Sequence, residues 1–219
     1  DLDKYDVIML GFSNQSELST NRLFTEEFFA LVLKKLYRGG IVAFWVPGST
    51  AYLSNHMRDL NACILNGVKI NFPNIRVIPG DINIYLASDS PQIMGVDAQL
   101  IQQRISARGI KSFTLVKGYV EYKFQQRLLD WFSENMLRAT DKINRDFAPW
   151  AVFENLLIWN RVFSPSFAGF LEKMQEATLR YWLLFIAMLS MILGAITFRK
   201  GPAGQKVRLL YCIFSAGFF

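Results

Sequence analysis

Histidine and cysteine are nearly missing from this chain of 219 residues, which has one histidine, His56, and two cysteines, Cys63 and Cys212. Two cysteines cannot build a disulfide framework, and no C-x-x-C pair is present to hold zinc. A single histidine excludes a His-based metal cluster and argues against a His-dependent hydrolase, so no metal is expected. Charge is scarce as well, with Asp, Glu, Lys and Arg at 19% of residues. Glycine-rich phosphate loops are missing too: there is no G-x-G-x-x-G, no Walker loop and no G-x-S-x-G elbow. The opening Asp1-Leu2-Asp3-Lys4 is polar and leads into a strand-like run, unlike a secretory signal sequence.

Apolar residues are abundant instead, at 52%, with 19 phenylalanines and a mean hydropathy of +0.19. This surplus excludes a disordered or highly charged chain and indicates that part of it leaves water. The net charge is +6 and the isoelectric point about 9.4, which favours an anionic partner. Basic residues are scattered rather than clustered among aromatics, so nucleic acid is not expected as that partner.

The surplus is concentrated late in the chain. Residues 181–198 read YWLLFIAMLSMILGAITF without a charge, with Arg180 before them and Arg199-Lys200 after. Such a run is expected to form a transmembrane helix, because about 18 residues at 1.5 Å each approach the thickness of a hydrocarbon core. A basic turn follows, and a second span is expected from about residue 209. The turn carries Arg199, Lys200, Lys206 and Arg208, so the positive-inside rule favours a cytoplasmic turn with the preceding domain outside the cytosol. The expected setting is an integral protein of a bacterial inner membrane, with the lipid bilayer and further membrane helices as partners.

The first part alternates strand and helix patterns. YDVIML, IVAFWV, IRVIP and NIYLAS read as strands, the first two as buried parallel ones. Thr25 and Ser54 are expected N-caps, with Glu26 and Glu27 in the first turn of one helix. Phe28, Val32 and Leu36 form its apolar stripe, Lys34, Lys35 and Arg38 load its end, and Gly39-Gly40 stop it. Helices are expected again over 97–108, 124–138 and 148–163. The expected class is α/β, with an open doubly wound sheet over 1–116, a helical connector over 117–178 and a membrane region over 179–219.

Such sheets bind ligands at the carboxyl ends of their strands, here Gly11 to Asn14 and Pro47 to Ser49. The stretches YDVIML, NRLFTEEFF, VPGSTAYLS, RDLN, NFPNIRVIPGD and IYLASD resemble the spermidine synthase-like domain, in the form fused to multi-pass membrane helices in bacteria. INRDFAPWAVFENLLIWNRVFSP resembles the segment that follows it in that group. The resemblance implies the second half of a Rossmann-like, S-adenosylmethionine methyltransferase-type sheet, in a fragment whose nucleotide-site residues lie upstream of Asp1. It implies a transferase of polyamine biosynthesis, with decarboxylated S-adenosylmethionine or S-adenosylmethionine as cofactor if the upstream half is intact. A cytosolic S-adenosyl cofactor would want the domain inside, against the charge of the basic turn, so the side of the domain stays open.

The family's catalytic loop usually reads D-S-S-D-P, and the matching stretch here is Gly11-Phe12-Ser13-Asn14-Gln15. Gly11 and Asn14 stand at the two aspartate positions, and neither accepts a proton at neutral pH. The expected function is therefore a degenerate aminopropyltransferase-like domain. The alternative is a non-catalytic ligand-sensing or structural domain of a transporter-like membrane protein. Substrate-binding candidates are Ser13, Asn14, Asn21, Arg22 and Tyr52, facing a polyamine or another small molecule. Arg22 has the further option of pairing with Glu26. Asp81 is expected to fix the turn between two strands, and His56 to be a solvated surface residue. No pair of residues reads as an acid/base couple.

Overall fold

The computed structural model describes residues 4–11, 17–176, 184–192 and 194. Four strands form one mixed sheet in the order β1-β2-β4-β3. They are β1 (Tyr5–Met9), β2 (Leu36–Pro47), β3 (Asn74–Ile78) and β4 (Ile82–Ser88). β1 and β2 are parallel, whereas β4 runs antiparallel to both β2 and β3. Strands β1, β2 and β3 therefore share one direction, and β4 is slotted between the last two. The expected mixed α/β class is present, built on this sheet and its helices.

Helix α1 (Leu18–Asn21) leads through a single 3-10 turn into α2 (Glu26–Lys35), which joins β1 to β2. Thr25 caps α2 as expected, its hydroxyl oxygen accepting from the amide of Phe28 at 3.4 Å. The helix is shorter than its stripe suggests, because Leu36 already belongs to β2. Gly39 and Gly40 lie inside that strand, Gly39 with φ at +81°, a left-handed conformation that suits glycine. Burial of Leu36 against the core is served equally well by the first residue of a strand, so its pairing with Tyr5 in the sheet decides the boundary.

Helix α3 (Asn55–Asn71), capped by Ser54, joins β2 to β3 and packs against α2. The core lies between these helices and one face of the sheet. Val42, Phe44 and Val46 of β2 meet Tyr85 and Ala87 of β4, Phe29 and Val32 of α2, and Leu60, Ile64 and Val68 of α3. Phe44 stacks on Tyr85 with ring centroids 5.0 Å apart, and Phe24 and Phe29 close around it.

After β4 come α4 (Ala98–Ala107), α5 (Lys117–Lys123), α6 (Gln126–Met136), α7 (Trp150–Phe163) and α8 (Pro165–Glu176). Asp97 caps α4 through the amide of Leu100 at 2.7 Å. Helix α6 presents Leu128 and Phe132 to the interior, and α7 lies along α3. Residues 1–165 form one compact unit and 166–219 a second.

Among the described residues no helix is long and apolar enough to cross a membrane. This overturns the expected integral-membrane placement, the inner-membrane localisation and the expected transmembrane helix. The described helical stretch 184–192 would rise only about 14 Å, near half of a hydrocarbon core of about 30 Å. The rest of the 181–198 run, the basic turn and the run from 209 lie outside the described residues.

Candidate functional site

Because β1 and β2 are parallel and adjacent, the chain leaves both at the same edge of the sheet. The amide of Leu10 still bonds the carbonyl of Ala43 at 2.9 Å, and β2 continues to Pro47. Gly11 comes two residues after the end of β1 and is exposed, and a Cβ there would meet nothing within 4 Å. Ser13 and Asn14 lie outside the described residues. After β2, the Ser49 hydroxyl accepts from the amides of Ala51 and Tyr52, both at 3.2 Å, and folds the loop over itself. Tyr52 stands out from this loop, 76% exposed.

The loop is anchored from below by Asn61. Its amide nitrogen donates to the carbonyls of Pro47 and Met57, at 2.9 and 2.8 Å. Its oxygen accepts from Asn83 Nδ2 at 2.9 Å and from the Tyr85 hydroxyl at 2.7 Å. All four hydrogen-bonding places of a fully buried asparagine are thereby filled. Asn83 Oδ1 accepts in turn from the amide of Gly80 at 3.1 Å, so Asn83 rather than the side chain of Asp81 fixes the β3–β4 turn. Gly48 passes so close that a Cβ would sit 2.5 Å from Asn83 Nδ2 and from the Gly80 carbonyl.

Asn21 and Arg22 part company. Arg22 is exposed, and Glu26 pairs with Arg145 at 2.8 Å instead. Asn21 is 1% exposed and accepts from Asn144 Nδ2 at 3.0 Å. Asn144 is a second buried hub. Its amide nitrogen also donates to the Phe24 carbonyl, and its side-chain oxygen accepts from the amide of Ala151. Its backbone amide donates to the Cys63 carbonyl, and its own carbonyl accepts from the amide of Glu26. One residue thus ties α1, α2, α3 and α7 together, and Asn21 serves that junction. No hydrogen bond or ring contact joins Gly11, Arg22 and Tyr52 among the described residues.

His56 is not a solvated surface group. Its side chain is 14% exposed, and Nδ1 lies 2.9 Å from Oε2 of Glu154, itself 5% exposed. A carboxylate in that position fixes the ring's orientation. His56 belongs to α3 and Glu154 to α7, so the pair ties these two helices together. Glu154 escaped notice in the sequence although a signal existed: it is the one charged residue from Trp150 to Asn160, inside an aromatic-rich helix. Burial drives the Cys63 thiol well above its ordinary range, with the nearby Glu154 carboxylate adding to the effect. Tyr85 is raised in the same way by complete burial.

No group of three or more metal-ligating side chains occurs among the described residues. Comparison with protein-family models and with curated proteins finds no match for this chain.

Proposed function

We propose that this chain is a non-catalytic ligand-binding domain on a spermidine synthase-like scaffold, the second half of a Rossmann-like, S-adenosylmethionine methyltransferase-type sheet. The observation that carries this reading is the juxtaposition at the carboxyl edge of β1 and β2. Three strands share one direction and are linked through α2 and α3, which supports a doubly wound origin. At the edge where such sheets bind ligands, Gly11 occupies the place of the family's proton-accepting aspartate. The exposed ring of Tyr52 suits the cationic methylene chain of a polyamine, through cation–π attraction and apolar contact.

The chain is therefore expected to bind spermidine or putrescine without transferring an aminopropyl group. Calorimetric titration with spermidine should give saturable binding that Tyr52→Ala weakens several-fold. Incubation with decarboxylated S-adenosylmethionine and putrescine should give no spermidine above the uncatalysed background. Enzyme-like turnover in that assay would overturn the non-catalytic assignment, and absence of any polyamine binding would overturn the ligand. Gly11 has room for a carboxylate, so Gly11→Asp alone should leave the fold intact.

A further inference from the structure

At the edge of the sheet opposite β1, residues of β3, α3 and α6 line a cleft of about 500 Å³. Its walls mix polar and apolar groups, the apolar ones including Leu65, Val77, Leu129, Phe132 and Met136. Two cations, Lys69 and Arg76, and one carboxylate, Asp130, also line it. Asp130 is already engaged by Gln126 Nε2 at 2.7 Å. Among the described residues neither Lys69 nor Arg76 has a carboxylate partner. The guanidinium of Arg76 lies 5.9 Å from the Phe124 ring, yet its Nε is buried without a hydrogen-bond acceptor. Arg58 has a similarly buried Nε, but the Asp59 carboxylate stands 3.5 Å away and compensates its charge. Arg76 has no such compensation. Arg76 is thus a cation of the cleft lining without a carboxylate partner.

We propose that this cleft binds a small amphipathic anion, a carboxylate carried on an apolar chain or ring. Two cations against one acid leave the lining with an excess positive charge, and the Arg76 guanidinium matches a carboxylate in both charge and planarity. The apolar groups of the walls take the remainder of the molecule, in a volume typical of small-ligand sites, roughly 300–1,000 Å³. The net charge of +6 draws anions toward the surface in general. This site is separate from the carboxyl edge of β1 and β2 and does not depend on the polyamine reading.

The test is calorimetric titration of the chain with decanoate, decylamine and 1-decanol, three probes of one tail length and different heads. Decanoate should bind saturably at one site, decanol about tenfold more weakly, and decylamine without saturation. Arg76→Gln and Lys69→Gln should each weaken decanoate about tenfold and leave decanol unchanged. Lys69 is exposed, so its variant keeps the test alive if Arg76→Gln fails to fold. Equal binding of all three probes, decylamine at least as tight as decanoate, or decanoate binding unchanged in the folded variants would overturn the proposal. So would a flat titration of the parent with decanoate.

Discussion

Strands β1 and β2 are neighbours, run in parallel and read almost alike in sequence, yet they live in different surroundings. In β2, Val42, Phe44 and Val46 are fully buried, and Ala43 on the opposite face is only 9% exposed. In β1, Tyr5, Val7 and Met9 are 55%, 53% and 66% exposed. The apolar runs YDVIML and IVAFWV each predict a strand, but a run of this kind reports a preference for burial and not its fulfilment. Burial is decided by position in the sheet: β2 has a strand on each side and two helices over one face, whereas β1 is an edge.

The sharpest way to break this contrast is to remove the aromatic centre of β2. Phe44→Ala takes away a ring that touches Phe24, Phe29 and Tyr85. The expected loss is about 4 kcal/mol, from transfer and cavity terms together. Urea unfolding of the two proteins measures it. A loss below about 1 kcal/mol would mean that the stacked centre does not hold the fold.

The second largest effect is expected at Asn144, far from β2 in the chain. Asn144→Ala strands Asn21 Oδ1, the Phe24 carbonyl and the Ala151 amide without their partners. About 2–4 kcal/mol should be lost, because leaving buried groups unsatisfied costs more than a hydrogen bond nets. Asn144→Asp should not rescue it, since a buried carboxylate lacks the N–H groups that serve Asn21 and Phe24. Rescue to within about 0.5 kcal/mol would show that water reaches the site and that the hub is not dry.

These two sites also mark how far the sequence could be read. Strands, caps and the later helices follow from local chemistry: Thr25 and Ser54 each sit before an amphipathic run and accept an amide as expected, while Asp97, read as the first residue of a helix, is its cap. The start of β2 was not legible, because Leu36 satisfies a helical stripe and a strand equally and only the sheet decides. Asn61 and Asn144 were invisible for another reason. An asparagine inside a helix or a loop carries no periodicity, and its importance comes from partners up to 123 residues away. The His56–Glu154 pair is the same case, joined across 98 residues. Of the expected ligand residues, Tyr52 is exposed as a contact residue must be, while Asn21 is turned into the protein. The membrane reading counted an uncharged run of sequence, whereas the described helix covers only part of it.

A third effect separates interior from edge through pH. The folded protein holds the proton on Cys63, whose value burial raises, while the unfolded chain releases it above about pH 8.5. The native state then binds more protons than the unfolded one, so stability is fully present below about pH 8.5 and falls as pH rises, by up to about 1.4 kcal/mol per unit. Tyr85 joins in above about pH 10, with the same sign. Cys63→Ala should flatten the decline between about pH 8.5 and 10 without removing the steeper loss beyond. Parallel curves for parent and variant in that window would show that the thiol is not held protonated by the fold.

The smallest effect tests the edge itself. Val7→Thr keeps the branched shape that a strand prefers and exchanges one methyl for a hydroxyl. On a half-exposed position of an edge strand the hydroxyl stays in water, so stability should change by no more than about 0.5 kcal/mol. The same exchange at Val42, in the neighbouring strand and fully buried, puts an unsatisfied hydroxyl in the core and should cost about 1–3 kcal/mol. Ile8 pairs with Val42 and Val7 with Ile41, so the two substitutions stand one ladder step apart. Paired urea titrations of Val7→Thr and Val42→Thr therefore compare edge and interior with a single chemical change. Equal losses would mean that the outer face of β1 is covered in solution. Its exposed apolar row would then be an interface surface that a second chain or further sequence closes.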